Sequence, residues 1–353
     1  MFEFVLGIGI LLVLGILFLM FRVGTLVSIA RKKKDEVGTS NKVNALLLVL
    51  FGIVGIVSFL WYSWSEFDRY SLPLASVHGA DTDQLFWITM YITGAVFVIT
   101  HILLIYFSYR YQYNEKNTAK FFTDNHKLEI IWTVLPAIVL TLLISKGLMV
   151  WGDIMEPAPD DAEVVEIMGS QFAWDVRYPG KDNSLGEYDY KLIDATNLFG
   201  MNLEGSESWD DFSPLEIHIP VNKTVLLNIR ARDVLHSVYM PHFRLKMDAV
   251  PGMPTHFKFT PTMTTQEMRD KLGNPDFNYE LACTEICGRG HFSMRKLIVV
   301  DSQEDYEKWK ASQKTWLQLN PDQLVKIPEG MREAAIVKSG IDREEVKNLE
   351  ASL

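Results

Sequence analysis

Four long apolar segments constrain the fold of this chain more than any other feature of its sequence. They run over residues 4–29, 43–64, 85–109 and 129–151. An α-helix needs about 20 mostly apolar residues to cross the hydrocarbon core of a bilayer, so each segment is long enough. We therefore predict four transmembrane helices. The first segment begins near an acidic residue and lacks a small-residue cleavage site, unlike a signal peptide, so we expect it to be retained.

Basic residues predict the orientation of these helices, because loops rich in Lys and Arg stay on the cytoplasmic side. Six Lys or Arg residues fall in the 22–42 segment and four in the 110–128 segment, whereas the 65–84 segment holds four acidic residues and one Arg. The N-terminus and everything after Trp151 are then expected outside. The formal net charge of −10 argues against nucleic acid as a partner and favours a cationic protein or a cation.

Beyond the last apolar segment, short strand-like runs alternate with clusters of Gly, Pro, Asn and Asp. This alternation predicts a small Greek-key β-barrel. The expected strands cover 164–168, 215–219, 224–229, 255–259, 279–282 and 296–300. After Asp301 the chain becomes charged and helix-prone. We expect a helical tail there, with Trp309 and Trp316 spaced to share one face.

One short segment concentrates metal-binding side chains. It offers two thiols, an imidazole and a thioether, which copper prefers to hard oxygen ligands. The donors are Cys283, Cys287, His291 and Met294, and these two cysteines are the only ones in the chain. Gly288 and Gly290 are expected to relax the backbone where the loop curls.

Four arrangements of these donors compete. Two cysteines outside the membrane often form a disulfide. A zinc site is less favoured, because Met is a poor zinc ligand and further Cys or His residues would be needed. A single-copper blue site uses one Cys and leaves the other spare. Two thiolates that bridge two copper ions use every donor.

The spacing Cys283-x-Glu285-x-Cys287-x₃-His291-x₂-Met294 resembles the binuclear copper (CuA) loop of cytochrome c oxidase subunit II. Three further motifs resemble the same family over roughly residues 85–300, namely Asp233-Val-Leu-His236-Ser, His126-x₂-Glu129-x₂-Trp132 and Gln171-x₂-Trp174. The resemblance implies a membrane α plus all-β protein, in which a cupredoxin-like Greek-key β-barrel follows the transmembrane helices. It also implies a bacterial inner membrane, with this CuA domain on the periplasmic side.

In that family the subunit takes electrons from cytochrome c and relays them to the haem of subunit I. There, oxygen is reduced to water with proton pumping, so the resemblance implies an enzyme complex whose oxygen site lies in another chain. It implies that Cys283 and Cys287 bridge two copper ions and that His236 and His291 each bind one. Met294 is then a weak ligand, and Glu285 binds through its carbonyl, its side chain helping to hold magnesium at the subunit I interface.

Other histidines compete with His236 for the upstream ligand role. His218, His242 and His256 fall in the same domain, but a lone His on a strand is more often structural. Only His236 lies in the family motif, which leaves His242 as the reserve. His78 and His101 lie in or near membrane segments, and His101 is expected to bond within the helix bundle. No Cys-x-x-Cys-His segment occurs, so we expect no haem in this chain.

Electrons enter the family's copper site through an exposed tryptophan that follows the motif's Gln. Here Phe172 stands at that position and Trp174 is the second aromatic residue, so either ring is a candidate. The departure also fits a donor that docks differently, such as a dedicated cytochrome c donor within a respiratory supercomplex. Alternatively, both rings pack in the core. The acidic residues expected to steer a cationic cytochrome c are Asp175, Glu207, Asp210, Asp211 and Asp233.

Glu129 begins the last apolar segment. On charge alone it is a helix-start carboxylate favoured by the helix dipole. The resemblance instead implies the acid at the mouth of a proton pathway that continues through subunit I.

The family has two membrane spans, and the first two spans here are additional. We divide the chain into an additional transmembrane hairpin (1–82), the family's transmembrane hairpin (83–152), the CuA domain (153–301) and a helical extension (302–353). Glycines in the additional hairpin predict close packing against a neighbour, and we expect docking to another respiratory complex. The resemblance also implies subunits I and III as partners within the oxidase.

Two alternative functions remain open from the sequence. One is the CuA subunit of a nitric oxide reductase, which Glu129 and its context disfavour. The other is a non-enzymatic copper-binding membrane protein with a disulfide between the two cysteines. A quinol oxidase subunit is disfavoured, because that branch lacks the copper cysteines.

Overall fold

A computed structural model describes residues 2–31, 34–113, 118, 120–344 and 346–347. The chain forms two compact units. One contains Met1–Ser71 and Trp87–Val139, and the other contains Leu72–Phe86 and Leu140–Leu353. Of the basic residues used to predict orientation, Lys32, Lys33 and Lys116 lie outside the described residues.

Long apolar helices form where the sequence predicted membrane spans. The helices before the β-domain are α1 (Phe2–Ala30), α2 (Lys34–Ser65), the short α3 (Phe67–Tyr70), α4 (Val77–Arg110) and α5 (His126–Met155). All but α3 contain a stretch long and apolar enough to cross a membrane, which confirms the four predicted spans. Their apolar side chains are exposed, because lipid is the expected solvent there. The expected 22–42 loop is wrong in extent, since α1 continues to Ala30 and α2 begins at Lys34.

Small residues let helices approach in the first unit. The Thr25 and Ser40 hydroxyl oxygens lie 3.0 Å apart and join α1 to α2. The side chain of Ile105, on α4, lies where a Cβ at Gly52 would stand. By contrast, a Cβ at Gly7, Gly9 or Gly15 would meet no described atom within 4 Å.

The second unit contains two β-sheets. Their strands are β1 (Glu163–Ser170), β2 (Ala173–Arg177), β3 (Ile217–Pro220), β4 (Val225–Ala231), β5 (His236–Met240), β6 (Leu245–Ala249), β7 (Thr255–Phe259), β8 (Tyr279–Cys283) and β9 (Arg295–Asp301). Sheet A has the order β2-β1-β4-β7, and sheet B has the order β3-β9-β8-β5-β6. The pairs β1–β4 and β3–β9 are parallel, and the other pairs are antiparallel. This architecture confirms the predicted cupredoxin-like fold class.

The main hydrophobic core lies between the sheets. Ile167 and Leu227 of sheet A belong to the same buried cluster as Leu281 and Ile298 of sheet B. Alternation along each strand sends one set of side chains into this core, as in other β-sandwiches. The strand β1 is an exception, because its outward side chains are also buried.

A second cluster explains that exception. The outward Met168 packs with Phe199 and Trp209, which come from the long segment between β2 and β3, and with Trp316 and Ile336 of the C-terminal tail. The tail contains α7 (Gln303–Ser312), α8 (Trp316–Leu319) and α9 (Arg332–Ser339), while α6 (Thr265–Leu272) precedes β8. The tail therefore folds back onto the outer face of sheet A.

The predicted pairing of two tryptophans on one helical face is wrong. Trp309 lies on α7 and packs against the main core, where its ring stacks on His218 at 4.3 Å between centroids. Trp316 begins α8 and belongs to the second cluster. A break in the helix at 313–315 turns the two rings to different sites.

Four charged side chains are buried beneath the segment between β2 and β3. Arg177 donates from Nε to Glu166 at 2.5 Å and from Nη1 to Asp211 at 3.2 Å. Arg230 donates to the other oxygen of Glu166 at 2.6 Å. Burial raises the pKa of Asp211 to about 7, although Arg177 acts in the opposite direction. Asp210, buried beside it, pairs with Lys338 of α9 at 3.1 Å.

The segment before α4 is bonded to the β-domain. The amide of Ala75 donates to the His242 carbonyl at 2.8 Å, and the Ser76 hydroxyl donates to the Phe243 carbonyl at 2.7 Å. Arg244 holds both carboxylate oxygens of Asp83 at 2.7 and 3.0 Å. The start of α4 is therefore fixed to the domain that carries the metal-binding loop.

Candidate metal centre

The loop between β8 and β9 is closed by its own backbone. The amide of Cys283 donates to the Met294 carbonyl at 3.2 Å, and that of His291 donates to the Gly288 carbonyl at 3.2 Å. Gly288 has φ of +133°, which side chains rarely tolerate, so its predicted conformational role is confirmed. Gly290 has an ordinary φ of −93°. Its expected role was wrong, because what it provides is space for the ring of Phe172.

The loop brings its sulfur and nitrogen donors to one place. Cys287 Sγ lies 3.3 Å from Met294 Sδ and 3.6 Å from His291 Nδ1. Cys283 Sγ lies 3.9 Å from His236 Nδ1 and 3.3 Å from the Glu285 carbonyl oxygen. The donor atoms of His236, Cys283 and Cys287 all fall within 4.8 Å of one another. The structure thus brings together every side chain that the sequence assigned to the metal.

Both cysteines are buried free thiols, so the disulfide alternative does not describe this structure. Burial raises the pKa of Cys287 to about 11, and the neighbouring Cys283 sulfur adds to the effect. Two adjacent buried thiolates need positive charge nearby, which a bound metal supplies. Met294 is also buried, and a thioether beside two thiols favours copper over zinc or a hard cation. The donors present therefore fit a copper centre.

His236 is aimed at the thiols by an acidic residue three positions earlier. Its ring is fully buried at the start of β5, where Nδ1 faces Cys283. The other ring nitrogen, Nε2, lies 2.9 Å from Asp233 Oδ1. A metal-binding His commonly donates its second N–H to a carboxylate, which fixes the ring and leaves the first nitrogen free.

The two candidate aromatic residues differ in exposure. Trp174 is buried at 4% exposure, and its ring stands edge-on to His236 at 5.8 Å between centroids. Phe172 is 39% exposed and lies over the loop between β8 and β9, called here the copper-type loop. Cβ atoms built at Gly288 and Gly290 would come within 2.9 and 2.5 Å of its ring.

Other histidines lie in sites of their own. His218 bonds to Asp301 at 2.6 Å, and His242 packs between Phe277 and Tyr279. His256 is exposed on β7. His78 contacts Phe257, and the His101 ring nitrogen bonds to the carbonyl of Phe97 within α4. The contacts of His218, His242 and His101 agree with the structural roles expected for these three residues.

Glu129 lies in the first turn of α5, with its carboxylate 3.2 Å from His126 Nδ1. It is thus a half-buried helix-start carboxylate, as its charge alone predicts. In the second unit, Lys146 lies 3.5 Å from Asp81.

Two of the acidic residues expected to steer a partner are wrong for that role. Asp210 and Asp211 are buried in the ion pairs described above. Asp233 is partly exposed but bonds to His236, and its second oxygen accepts the Gln171 amide at 2.7 Å. Sequence reasoning treated Asp233 as a surface charge and missed these contacts. Its position three residues before a candidate ligand was the available signal.

Fold and site together define a membrane-anchored cupredoxin-type domain with a copper-type His, Cys and Met donor set. The family model for the cytochrome c oxidase subunit II transmembrane domain matches residues 71–148, and the model for the periplasmic domain matches residues 163–303.

The alternative cytochrome c oxidase subunit 2 of Bradyrhizobium diazoefficiens is 34% identical over 78% of this chain and 94% of its own length. Cytochrome c oxidase subunit 2 of Thermostichus vulcanus is 28% identical over 72% of this chain and 82% of its own length. The crystal structure of the periplasmic domain of subunit II of cytochrome oxidase of Bradyrhizobium japonicum is 24% identical, covers 45% of this chain and 97% of that one, and has a TM-score of 0.31.

This chain belongs to the cytochrome c oxidase subunit II family. It is the electron-accepting subunit of a haem-copper oxidase complex, anchored in a membrane with a periplasmic domain. The predicted family is confirmed, and the nitric oxide reductase alternative is not favoured. The helices α1 and α2 lie entirely outside both family-model matches.

Proposed function

We propose that this chain holds a binuclear copper centre that accepts electrons from a cytochrome c and relays them to the haem of subunit I. The observation that carries the proposal is the convergence of two free thiols, two imidazoles, a thioether and a backbone carbonyl, supplied by the loop between β8 and β9 and by His236 at the start of β5. The proposed ligands are His236, Cys283, Glu285 (carbonyl), Cys287, His291 and Met294.

The chain contributes a preformed frame around this centre. Bound copper supplies a one-electron carrier whose charge is shared between two metal ions. The strands β5, β8 and β9 belong to one hydrogen-bonded sheet, so the ligands at their ends move little relative to one another. Burial of Cys283, Cys287 and His236 keeps water from the sulfur atoms. Such a frame limits the rearrangement that accompanies each change of charge.

Electrons enter at Phe172 in this proposal. Its ring is exposed to solvent on one side and lies on the copper-type loop on the other, whereas Trp174 is enclosed. Two large apolar side chains of the loop, Ile286 and Phe292, are 85% and 84% exposed. Small exposed apolar surfaces of this kind suit the weak, brief encounters of redox partners. Trp174 is then the inner ring, beside His236.

The remaining assignments rest on the family resemblance. Glu285 is partly exposed beyond its ligand carbonyl, and we place its carboxylate at a magnesium ion shared with subunit I. Glu129 begins the proton pathway that continues in subunit I. We assign a bacterial inner membrane and no haem to this chain. The domain limits remain 1–82, 83–152, 153–301 and 302–353. The space beside Gly7, Gly9 and Gly15, where a Cβ would meet no described atom within 4 Å, supports docking of the additional hairpin to another respiratory complex. The partners within the oxidase are subunits I and III.

Electron paramagnetic resonance of the full-length, copper-loaded chain in detergent tests the copper assignment. We expect one unpaired electron shared by two equivalent copper ions. A mononuclear copper signal, or sulfur atoms that remain bonded to each other in the active complex, would contradict the proposal. For electron entrance, Phe172→Ala should slow reduction of the copper by cytochrome c, while Phe277→Ala, remote from the loop, should not.

A further inference from the structure

A corner of the β1–β2 hairpin touches both segments that carry metal ligands. The corner contains Gln171, between β1 and β2. Its backbone amide donates to Asp233 Oδ2 at 2.7 Å, and its side-chain amide donates to the Cys287 carbonyl at 2.5 Å. Asp233 uses its other oxygen to hold His236 Nε2 at 2.9 Å. A continuous set of hydrogen bonds thus runs from His236 to Cys287 without passing through the metal.

The chemistry of these bonds is specific. Asp233 Oδ1 also accepts the Val234 amide at 2.8 Å, so its carboxylate meets three donors and has no proton of its own to give. An Asn at this position has one acceptor and one donor, and it would turn a donor towards either His236 or Gln171. The Gln171 amide, in turn, is a donor that a Glu of the same shape would lack.

We propose that Gln171 and Asp233 form a positioning clamp that sets His236 and Cys287 relative to each other and thereby tunes the copper centre. Asp233 fixes the tautomer and ring orientation of His236, and Gln171 fixes the peptide group between Cys287 and Gly288 through the Cys287 carbonyl. Neither residue binds the metal. The inference rests on the proposed copper function. This role of Gln171 and Asp233 is separate from electron entry at Phe172, which lies in the same corner.

The competing explanation is an ordinary structural corner, whose loss would lower stability without altering the metal. Residues distant from the loop provide matched controls. Gln313 donates from its side-chain amide to the Trp309 carbonyl at 3.1 Å, as Gln171 does to Cys287. Asp194 accepts two backbone amides, from Thr196 and Asn197, at 2.8 and 2.7 Å.

The test compares Gln171→Glu and Asp233→Asn with Gln313→Glu and Asp194→Asn in the full-length chain in detergent. Copper affinity, the paramagnetic resonance spectrum and the reduction potential are measured. Loss of a residue that orients a metal ligand typically lowers metal affinity about 10–100-fold, and we expect this for both clamp variants. Asp233→Asn removes negative charge beside the centre and should raise the potential, whereas Gln171→Glu adds charge and should lower it.

Both control variants should leave all three measurements at the wild-type values. The proposal is overturned if either clamp variant keeps the wild-type affinity, spectrum and potential, even if it unfolds at a lower temperature. If Asp233→Asn does not fold, Gln171→Asn, which shortens the amide by one methylene, provides the same test. A wild-type chain that binds a single copper refutes the proposed function instead, so the two failures are distinguishable.

Discussion

Gly290→Ala tests whether the ring of Phe172 lies on the copper-type loop. The backbone at this position has φ of −93°, which Ala adopts without strain, so only the added methyl group matters. That methyl would stand 2.5 Å from Cγ and 2.7 Å from Cδ2 of Phe172. Ordinary contact needs roughly 3.5 Å or more, and the ring must therefore move by about 1 Å.

Overpacking of this kind typically costs about 1–3 kcal/mol. A domain of this size loses roughly 2–4 °C in Tm for each kcal/mol. Phe172 is partly exposed and has room to swing outwards, so we expect the lower half of the energy range, about 1–2 kcal/mol or about 2–8 °C, with the copper spectrum retained. Reduction of the copper by cytochrome c should slow, because the displaced ring no longer bridges surface and centre.

Thermal unfolding by circular dichroism and stopped-flow reduction of the full-length chain in detergent measure these effects. Gly330→Ala is the control, since a Cβ there would meet no described atom within 4 Å. The double variant Phe172→Ala, Gly290→Ala should lose no more stability than Phe172→Ala alone. If Gly290→Ala destabilises the protein equally with and without the ring, the proposed collision is refuted.

Further perturbations test the buried charges and the metal. Arg177→Met removes the cationic partner of buried Asp211 and one of the two partners of Glu166, and should cost about 3–5 kcal/mol. Arg295→Met, in a largely exposed pair, should cost about 0–1 kcal/mol, and equal Tm losses for the two variants would contradict this. The folded-state pKa of Asp211 is raised to about 7 from 3.8, so folding favours its protonated form, and the stability it contributes at low pH should be lost as pH rises from about 4 to 7. Asp211→Asn should flatten the Tm profile across that window, and an unchanged profile would show that another group titrates. Bound copper should stabilise the folded wild-type chain by an amount that grows with the free copper concentration, about 4 kcal/mol at 1,000 times Kd. Removing the copper with a chelator should therefore lower the Tm. Cys283→Ser should abolish this concentration dependence, and a Cys283→Ser chain that is still stabilised by copper would contradict the ligand assignment.

The sequence predicted the membrane helices and several strands because their patterns are local. An apolar run of some 20 residues is stable in lipid as a spanning helix. Among the strands, β7 was predicted at its observed limits. The strands β2 and β6 were not among the expected strands, although apolar and polar side chains alternate along both, as in Trp174-Asp175-Val176 and Leu245-Lys246-Met247. These strands are fixed by pairing with β1 and β5, which is not visible in a local window.

The candidate site was predictable to the extent that its donors lie close together in sequence. The loop from Cys283 to Met294 carries its own spacing, and His236 was identified through a motif. The contacts of Asp233 and Gln171 span 62 and 116 positions, so spacing alone does not reveal them. Burial of Asp210 and Asp211 was missed for a related reason, because their cationic partners come from distant parts of the chain.

The folding of the tail onto sheet A limits where other proteins can meet this domain. Met168, Phe199 and Trp316 are already enclosed by the chain itself on that side. A neighbour in an assembled oxidase therefore cannot contact that face of sheet A directly and would meet the tail there instead. The tail thus becomes part of the surface that this side of the domain presents to other molecules.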